Sequence, residues 1–202
     1  YSCTENEFSI ARHGKAGANP FDPLESPDHI NKLKNECDYV IVLHHGGKEQ
    51  YRYPSPELQK VCRKMISKGA DLVVCQHSHC IGSYEQFKNG TIIYGQGNFL
   101  FDRHDNEFYK TGLILNVKFC TGIEVEFIPI QKEGKGVKLA DRESRERILN
   151  EFFQRSEEIK SPGFVEQQFD QYCRENGQYY LATLAGLGKT IRRIDKVLNR
   201  PL

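Results

Sequence analysis

The 202-residue sequence contains no tryptophan, a single methionine and no excess of charge of either sign. Its 28 basic and 27 acidic residues give a net charge of +1. This value is too small to attract nucleic acid, so a general nucleic-acid binder is not expected. No apolar run approaches the roughly 18 residues needed to span a bilayer, and the first residues lack the basic and apolar regions of a signal peptide. With 38% apolar and 27% charged residues, the composition is that of a globular protein.

The seven cysteines are scattered and odd in number, which does not fit a disulfide scaffold. Reduced thiols in a cytoplasmic protein are the simplest interpretation. The alternative is a membrane-associated or cell-surface protein held by an N-terminal anchor outside this sequence. Because the chain starts at Tyr1 rather than at methionine, we expect it to be part of a longer protein.

Two apolar runs separated by a helix predict an α/β fold. Residues 38–43 and 70–75 are continuous apolar segments, typical of buried strands. Between them, Ser55 and Pro56 predict the start of a helix that Gly69 ends. A strand, a helix and a strand joined by short connections form a βαβ unit, so the two strands should be parallel neighbours.

The remaining elements divide the chain into two parts. We expect an α/β domain over residues 1–140 and a helical C-terminal extension over 141–202. The predicted elements are a helix at 26–36, a strand at 91–101, a hairpin of 110–119 and 123–130, and helices at 141–160, 164–175 and 178–198.

Four of the seven histidines follow the two predicted parallel strands. His44 and His45 come directly after the first strand, and His77 and His79 come just after the second. Because ligands bind at the carboxyl ends of parallel strands, and neutral imidazole binds Zn, Fe or Mn, the pattern predicts a metal site. Glu49 is the nearest acid and could orient a histidine or a water molecule. The plainer alternative is that these are ordinary loop histidines.

Four other features are weaker candidates. A structural zinc site between Cys75 and Cys80 would be too compact to close a tetrahedron, and Cys80 as a nucleophile beside His79 lacks an evident acid to orient that histidine. The glycines of 185–190 resemble a phosphate loop but lack its first glycine and do not follow a strand. The basic face of the last predicted helix should pack on the domain, with a membrane-surface contact as the minority alternative.

Several ordered motifs resemble the bacterial CapA family of capsule or poly-γ-glutamate synthesis proteins, and the resemblance covers about residues 1–130. The motifs are His45-Gly46-Gly47-Lys48-Glu49, Pro54 and Pro56, Gly69-Ala70-Asp71, His77-Ser78-His79 and Tyr94-Gly95-Gln96-Gly97-Asn98-Phe99, with Glu5-Asn6-Glu7-Phe8-Ser9 and Gly17-Ala18-Asn19-Pro20 upstream. The fold that this resemblance implies is the layered sandwich of the calcineurin-like metallophosphoesterases, of which this chain would be the C-terminal part.

The resemblance also implies a site and a function. His45, His77 and His79 would be metal ligands, Glu49 and Asn98 would line the same pocket, and His44 would be an additional imidazole near it. The candidates for a catalytic role are therefore Glu49, Asn98 and His44. The longer protein would hold two divalent metal ions (Mn, Fe or Zn) and hydrolyse a phosphoester or an amide. The alternative is a non-catalytic component that binds a polyanionic polymer during its synthesis or export. Neither reading involves nucleic acid, and membrane contact is not expected.

One departure from the wider phosphoesterase fold is important. No acidic or Asn-His ligand motif precedes His44, so we expect the 202-residue chain alone to be inactive or nearly so. We also expect its core to be incomplete, with Val40, Val42, Leu72 or Val74 on a partly exposed face.

Overall fold

The computed structural model describes residues 1–5, 10–101 and 106–184 as two β-sheets and four helices. The strands are β1 (Ser2–Thr4), β2 (Ile41–Gly46), β3 (Leu72–His77), β4 (Tyr84–Phe87), β5 (Gly90–Ile93), β6 (Thr111–Phe119), β7 (Ile123–Glu133) and β8 (Gly136–Leu139). The helices are α1 (Ser26–Glu36), α2 (Pro56–Ser67), α3 (Arg142–Glu158) and α4 (Phe164–Leu184). A short 3₁₀ helix, Glu107–Tyr109, precedes β6.

The first sheet has five strands in the order β1-β2-β3-β5-β4. Strands β1, β2, β3 and β5 are parallel, and β4 is antiparallel at the edge. The second sheet is the antiparallel meander β6-β7-β8. The predicted α/β class, the parallel pairing of β2 with β3 and the hairpin of β6 and β7 are therefore confirmed.

Local signals predicted the start of α2 correctly. The Ser55 hydroxyl accepts a hydrogen bond from the Leu58 N–H, and Pro56 is the first helical residue. A serine cap satisfies one of the N–H groups that a helix start leaves unpaired, and proline has no N–H to leave unpaired.

Strand β2 is displaced by about three residues from its prediction. It begins at Ile41 and continues through His44 and His45, which the sequence pattern had placed beyond the strand. The Val40 N–H donates to the Asp71 carboxylate at 2.8 Å, and the same carboxylate accepts the Lys34 ammonium at 2.9 Å. The Val40 carbonyl accepts the Asp71 N–H at 2.8 Å, and the regular ladder starts one residue later, at Ile41 opposite Leu72.

Other boundaries also differ from the expectations. The single strand expected at 91–101 is the short β5, which ends at Ile93, and the chain then turns at Gly97, whose φ is +75°. Strands β1, β4 and β8 were not predicted, since three or four residues carry little periodicity. The break expected between 175 and 178 is wrong, because α4 continues to Leu184. The phosphate-loop-like segment and the basic helix face lie in 185–202, outside the described residues.

The expectation of an incomplete core is wrong for the central strands. Val40, Val42, Leu72 and Val74 are all buried. One face of the first sheet packs against α1 and α2, and the second sheet covers the other face at β3. Strand β2 does expose one apolar side chain, that of Leu43, which lines an open cleft of about 680 Å³ between the two sheets.

Helix α3 packs directly on strands of both sheets. Phe152 is fully buried, with its ring centroid 5.5 Å from that of Tyr84 on β4 and 4.8 Å from that of Phe127 on β7. The boundary at residue 140 stays a prediction. Within the described residues, no helix combines the length and apolarity that crossing a membrane requires.

Candidate metal centre

The carboxyl ends of β2 and β3 form one edge of the first sheet. In the parallel register, His45 is opposite Gln76, and Gly46 is opposite His77. The chain leaves both strands at the same level, so the side chains of the following residues converge there.

Three imidazoles meet at this edge. The ring centroid of His77 lies 5.2 Å from that of His45 and 5.9 Å from that of His79. The structure therefore brings together the three histidines that the sequence grouped. Their role as metal ligands stays a prediction.

Glu49 lies at the same place. Each of Glu49, His77 and His79 offers one potential ligand atom, and these three atoms lie within 4.8 Å of one another. The glutamate is exposed and the two histidines are half-buried. Two imidazole nitrogens and a carboxylate oxygen at this spacing are a donor set suited to a divalent transition metal.

The backbone at the second and third histidines is strained. His77 has a φ of +98° and His79 a φ of +54°, in a region that residues other than glycine rarely adopt. Strain of this kind persists only where the surrounding structure imposes it, and it is concentrated at functional sites. Here it turns two side chains separated by one residue toward the same pocket.

Asn98 fixes the tautomer of His79. The Asn98 amide nitrogen donates to the backbone carbonyls of His79 at 2.8 Å and Phe108 at 3.2 Å. Its side-chain oxygen must then face Nδ1 of His79, 2.9 Å away, and accept a hydrogen bond from it. With the proton on Nδ1, the lone pair of His79 is on Nε2, the state in which imidazole binds a metal.

The electrostatic environment keeps His45 neutral. Partial burial lowers the pKa of His45, and the neighbouring His77 and His79 lower it further. A neutral ring retains the lone pair that a metal requires, so the arrangement disfavours the protonated form that would compete with a metal ion.

The structure does not bring His44 to the three-histidine cluster. Successive side chains of a strand point to opposite faces, and His44 is buried on the helix side at 1% exposure. Its Nδ1 lies 3.4 Å from Sγ of Cys3, and its Nε2 lies 3.6 Å from a carboxylate oxygen of Glu5. A direct catalytic contact by His44 does not fit this position.

Glu5 is the residue that sequence reasoning missed. It follows β1, and its backbone N–H donates to the His45 carbonyl at 3.1 Å. Burial raises the pKa of Glu5, but contact with His44, the Gly47 N–H and the charge of Lys48 together bring this pKa below its usual value. An ionised carboxylate therefore lies beside β2. The strand just before it has only three residues, and so short a strand shows too little periodicity to be recognised from the sequence.

The cysteine alternatives do not fit the geometry. Cys75 and Cys80 are fully buried, and the Cys75 sulfur lies 3.5 Å from that of Cys62 in the core. Burial raises the pKa of the Cys80 thiol, which opposes a role as a nucleophile.

Comparisons with known proteins match the first half of the chain. Residues 3–103 match the family model described as bacterial capsule synthesis protein PGA_cap. A capsule biosynthesis protein CapA of Bacillus anthracis is 39% identical over 99 residues, which are 47% of this chain and 24% of that protein. A PGA biosynthesis protein CapA of Bacillus subtilis (strain 168) is 32% identical over 93 residues, or 46% of this chain and 24% of that protein. The matched region thus spans about a quarter of the length of these relatives.

Proposed function

Because the chain belongs to the PGA_cap family of bacterial capsule synthesis proteins, we propose that it contributes a metal centre to a hydrolase acting in the synthesis of a capsule polymer. The observation that carries the proposal is the convergence of His45, His77, His79 and Glu49 at one sheet edge. The hydrolysed bond would be a phosphoester or an amide.

The donor set fits a divalent ion of the Mn, Fe or Zn type. Imidazole nitrogen suits Zn and Fe, and carboxylate oxygen suits Mn and Zn. His77, His79 and Glu49 would hold the ion, with His45 beside His77 as a further ligand. When bound, such an ion activates water for attack and polarises the bond to be broken.

The chain's own residues have distinct tasks in this proposal. Asn98 holds the proton of His79 on Nδ1, which leaves the lone pair on Nε2 for a metal ion. Glu49 is exposed at the rim, where its carboxylate would complete the donor set on the solvent side. His45 stays neutral because burial and its two histidine neighbours lower its pKa.

Metal binding by the purified 202-residue chain tests the proposal directly. We expect about one Co²⁺ or Zn²⁺ per chain, with the visible absorption of Co²⁺ reporting nitrogen ligands. The variant His77→Ala should lose this binding, and His29→Ala should retain it, because His29 is an exposed histidine on α1. Equal metal content in both variants would contradict the proposal.

Hydrolysis is a second test. With Mn²⁺ added, an aryl phosphate substrate should be cleaved slowly, or not at all, by this chain alone, since one carboxylate and three histidines provide less than a two-metal site requires. A protein that extends over the full length of the relatives should cleave it faster, and substitution of His79 there should abolish the Mn²⁺-dependent part.

A further inference from the structure

A small cleft between Ile81 and helix α3 has four basic side chains in its lining. Its volume is about 120 Å³. The charged residues around it are Arg52, Lys110, Arg147, Arg155, Glu107 and Glu151. Four cations and two carboxylates leave this lining, here named the basic cleft, with a net charge of +2.

Arg155 is held rigidly at the bottom of the cleft. Its side chain on α3 is only 10% exposed. Nε donates to the Gly82 carbonyl at 2.9 Å, and one terminal nitrogen donates to the Ile81 carbonyl at 3.3 Å. The other terminal nitrogen lies 3.7 Å from Glu151. These contacts use one N–H on each nitrogen, so each terminal nitrogen keeps a second N–H for a ligand.

Arg52 lies against the same carbonyl. It donates to the Ile81 oxygen at 3.2 Å and contacts Glu107 at 3.4 Å. Two guanidinium groups thus share one acceptor. Burial lowers the pKa of Arg155, and the charge of Arg52 lowers it further. An anion between the two guanidinium groups would offset both effects.

The basic cleft is connected to the metal centre through two short segments. Ile81 is two residues beyond His79 in the sequence. The Phe108 carbonyl accepts from Asn98 at 3.2 Å, while the guanidinium of Arg52 lies over the Phe108 ring at 4.7 Å. The segments that carry Ile81 and Phe108 therefore contact both the basic cleft and the residues of the metal centre.

We propose that the basic cleft binds a carboxylate of an acidic polymer chain and holds that chain beside the metal centre. The planar donor fork of arginine matches the two oxygens of a carboxylate. The identification of the polymer rests on the proposed function and on the relative described as a PGA biosynthesis protein, since poly-γ-glutamate carries a carboxylate on every residue. The basic cleft itself also involves α3 and Lys110, which lie beyond the residues that match the family.

The test is the affinity of the metal-free chain for a dye-labelled oligo-γ-glutamate, measured by fluorescence anisotropy. Helix α3 offers a matched pair of variants. Arg147 lies in the cleft and pairs with Glu151, while Arg142 lies outside it and pairs with Glu146, both four residues along. Each arginine is more than half exposed, so R147Q and R142Q should both fold.

We expect R147Q alone to weaken binding by about tenfold, the effect of losing a charge-assisted contact, and R147Q combined with K110Q to weaken it further. R142Q should leave the affinity within about twofold. Equal weakening by R147Q and R142Q, or no binding by the unaltered chain, would overturn the proposal. A chain that binds inorganic phosphate but does not bind the labelled oligomer would also overturn it, because the ligand would then be a small oxyanion.

The outcome separates this proposal from the metal centre. His77→Ala should lose metal and keep its affinity for the oligomer. If no metal binds but R147Q still weakens oligomer binding, the basic cleft stands and the metal centre fails. If metal binds and R147Q does not change the affinity for the oligomer, only the proposed binding of the polymer by the basic cleft is wrong.

Discussion

The side-chain oxygen of Asn98 accepts a hydrogen bond from Nδ1 of His79 at 2.9 Å, and the amide nitrogen of the same Asn98 is held by two backbone carbonyls. The orientation of the amide is therefore set by the backbone, and the amide in turn sets the tautomer of the imidazole. Partners of this kind tune a metal ligand without contacting the metal.

Replacing Asn98 with alanine should weaken metal binding by about 10- to 100-fold, because the His79 ring would lose its fixed tautomer and orientation. Isothermal titration of the chain with Zn²⁺ measures this change. Asn116→Ala is the matched control, since Asn116 is an exposed asparagine of β6 that bonds to Glu126. An unchanged affinity in the Asn98 variant would show that Asn98 has no part in the site.

Gly46→Ala should destabilise the fold by about 1–3 kcal/mol. A Cβ at this position would lie 2.6 Å from the Glu5 carboxyl carbon and 2.6 Å from Nε2 of His44. Urea unfolding monitored by circular dichroism gives the difference in the free energy of unfolding. Gly122→Ala, where nothing lies within 4 Å of the added methyl, should change this free energy by less than about 0.5 kcal/mol.

Phe152→Ala tests whether the helical extension folds together with the α/β domain. Phe152 is fully buried between Tyr84 and Phe127, so its truncation should cost about 3–5 kcal/mol in one cooperative unfolding transition. Phe153 is 40% exposed, and its replacement should cost less. Two separate transitions, with only one affected by Phe152→Ala, would show instead that the boundary at residue 140 divides independent units.

Thiol labelling should distinguish two groups of cysteines. Cys37, Cys120 and Cys173 are exposed, whereas Cys3, Cys62, Cys75 and Cys80 are buried. Burial also raises the pKa of Cys3 to about 12 and thus removes its reactive thiolate. A chromogenic disulfide reagent should titrate three thiols in the native chain and seven after denaturation. Rapid native labelling of Cys3, located by mass spectrometry, would contradict the packing of β1 on β2.

Stability should fall at alkaline pH through Tyr53. Burial, and then its hydrogen bond to Glu158, raise the pKa of Tyr53 to about 12 from 10.0. The folded state holds the Tyr53 proton more tightly than the unfolded state does. The contribution of Tyr53 to stability is therefore fully present below pH 10 and is lost as the pH rises through about 12. Tyr53→Phe should therefore flatten the decline of unfolding free energy over that interval. Parallel curves for the two proteins would refute the assignment.

Local sequence signals were sufficient to predict the central βαβ unit of this protein. The apolar runs of β2 and β3, the Ser55-Pro56 start of α2 and the histidines at two strand ends were sufficient to predict a parallel βαβ unit with imidazoles at one edge. These features depend on neighbours in the chain, because periodicity, caps and the direction of parallel strands are local or follow from short connections.

The remainder was decided by contacts between distant residues. Glu5 reaches His44 because three residues of β1 pair with β2, and the cover over Leu72 and Val74 comes from a second sheet that begins about 40 residues later. Arg52 and Arg155 meet at the Ile81 carbonyl although more than 100 positions separate them in the sequence. The register and packing that create such pairs depend on the whole fold, so no pattern within a short segment specifies them.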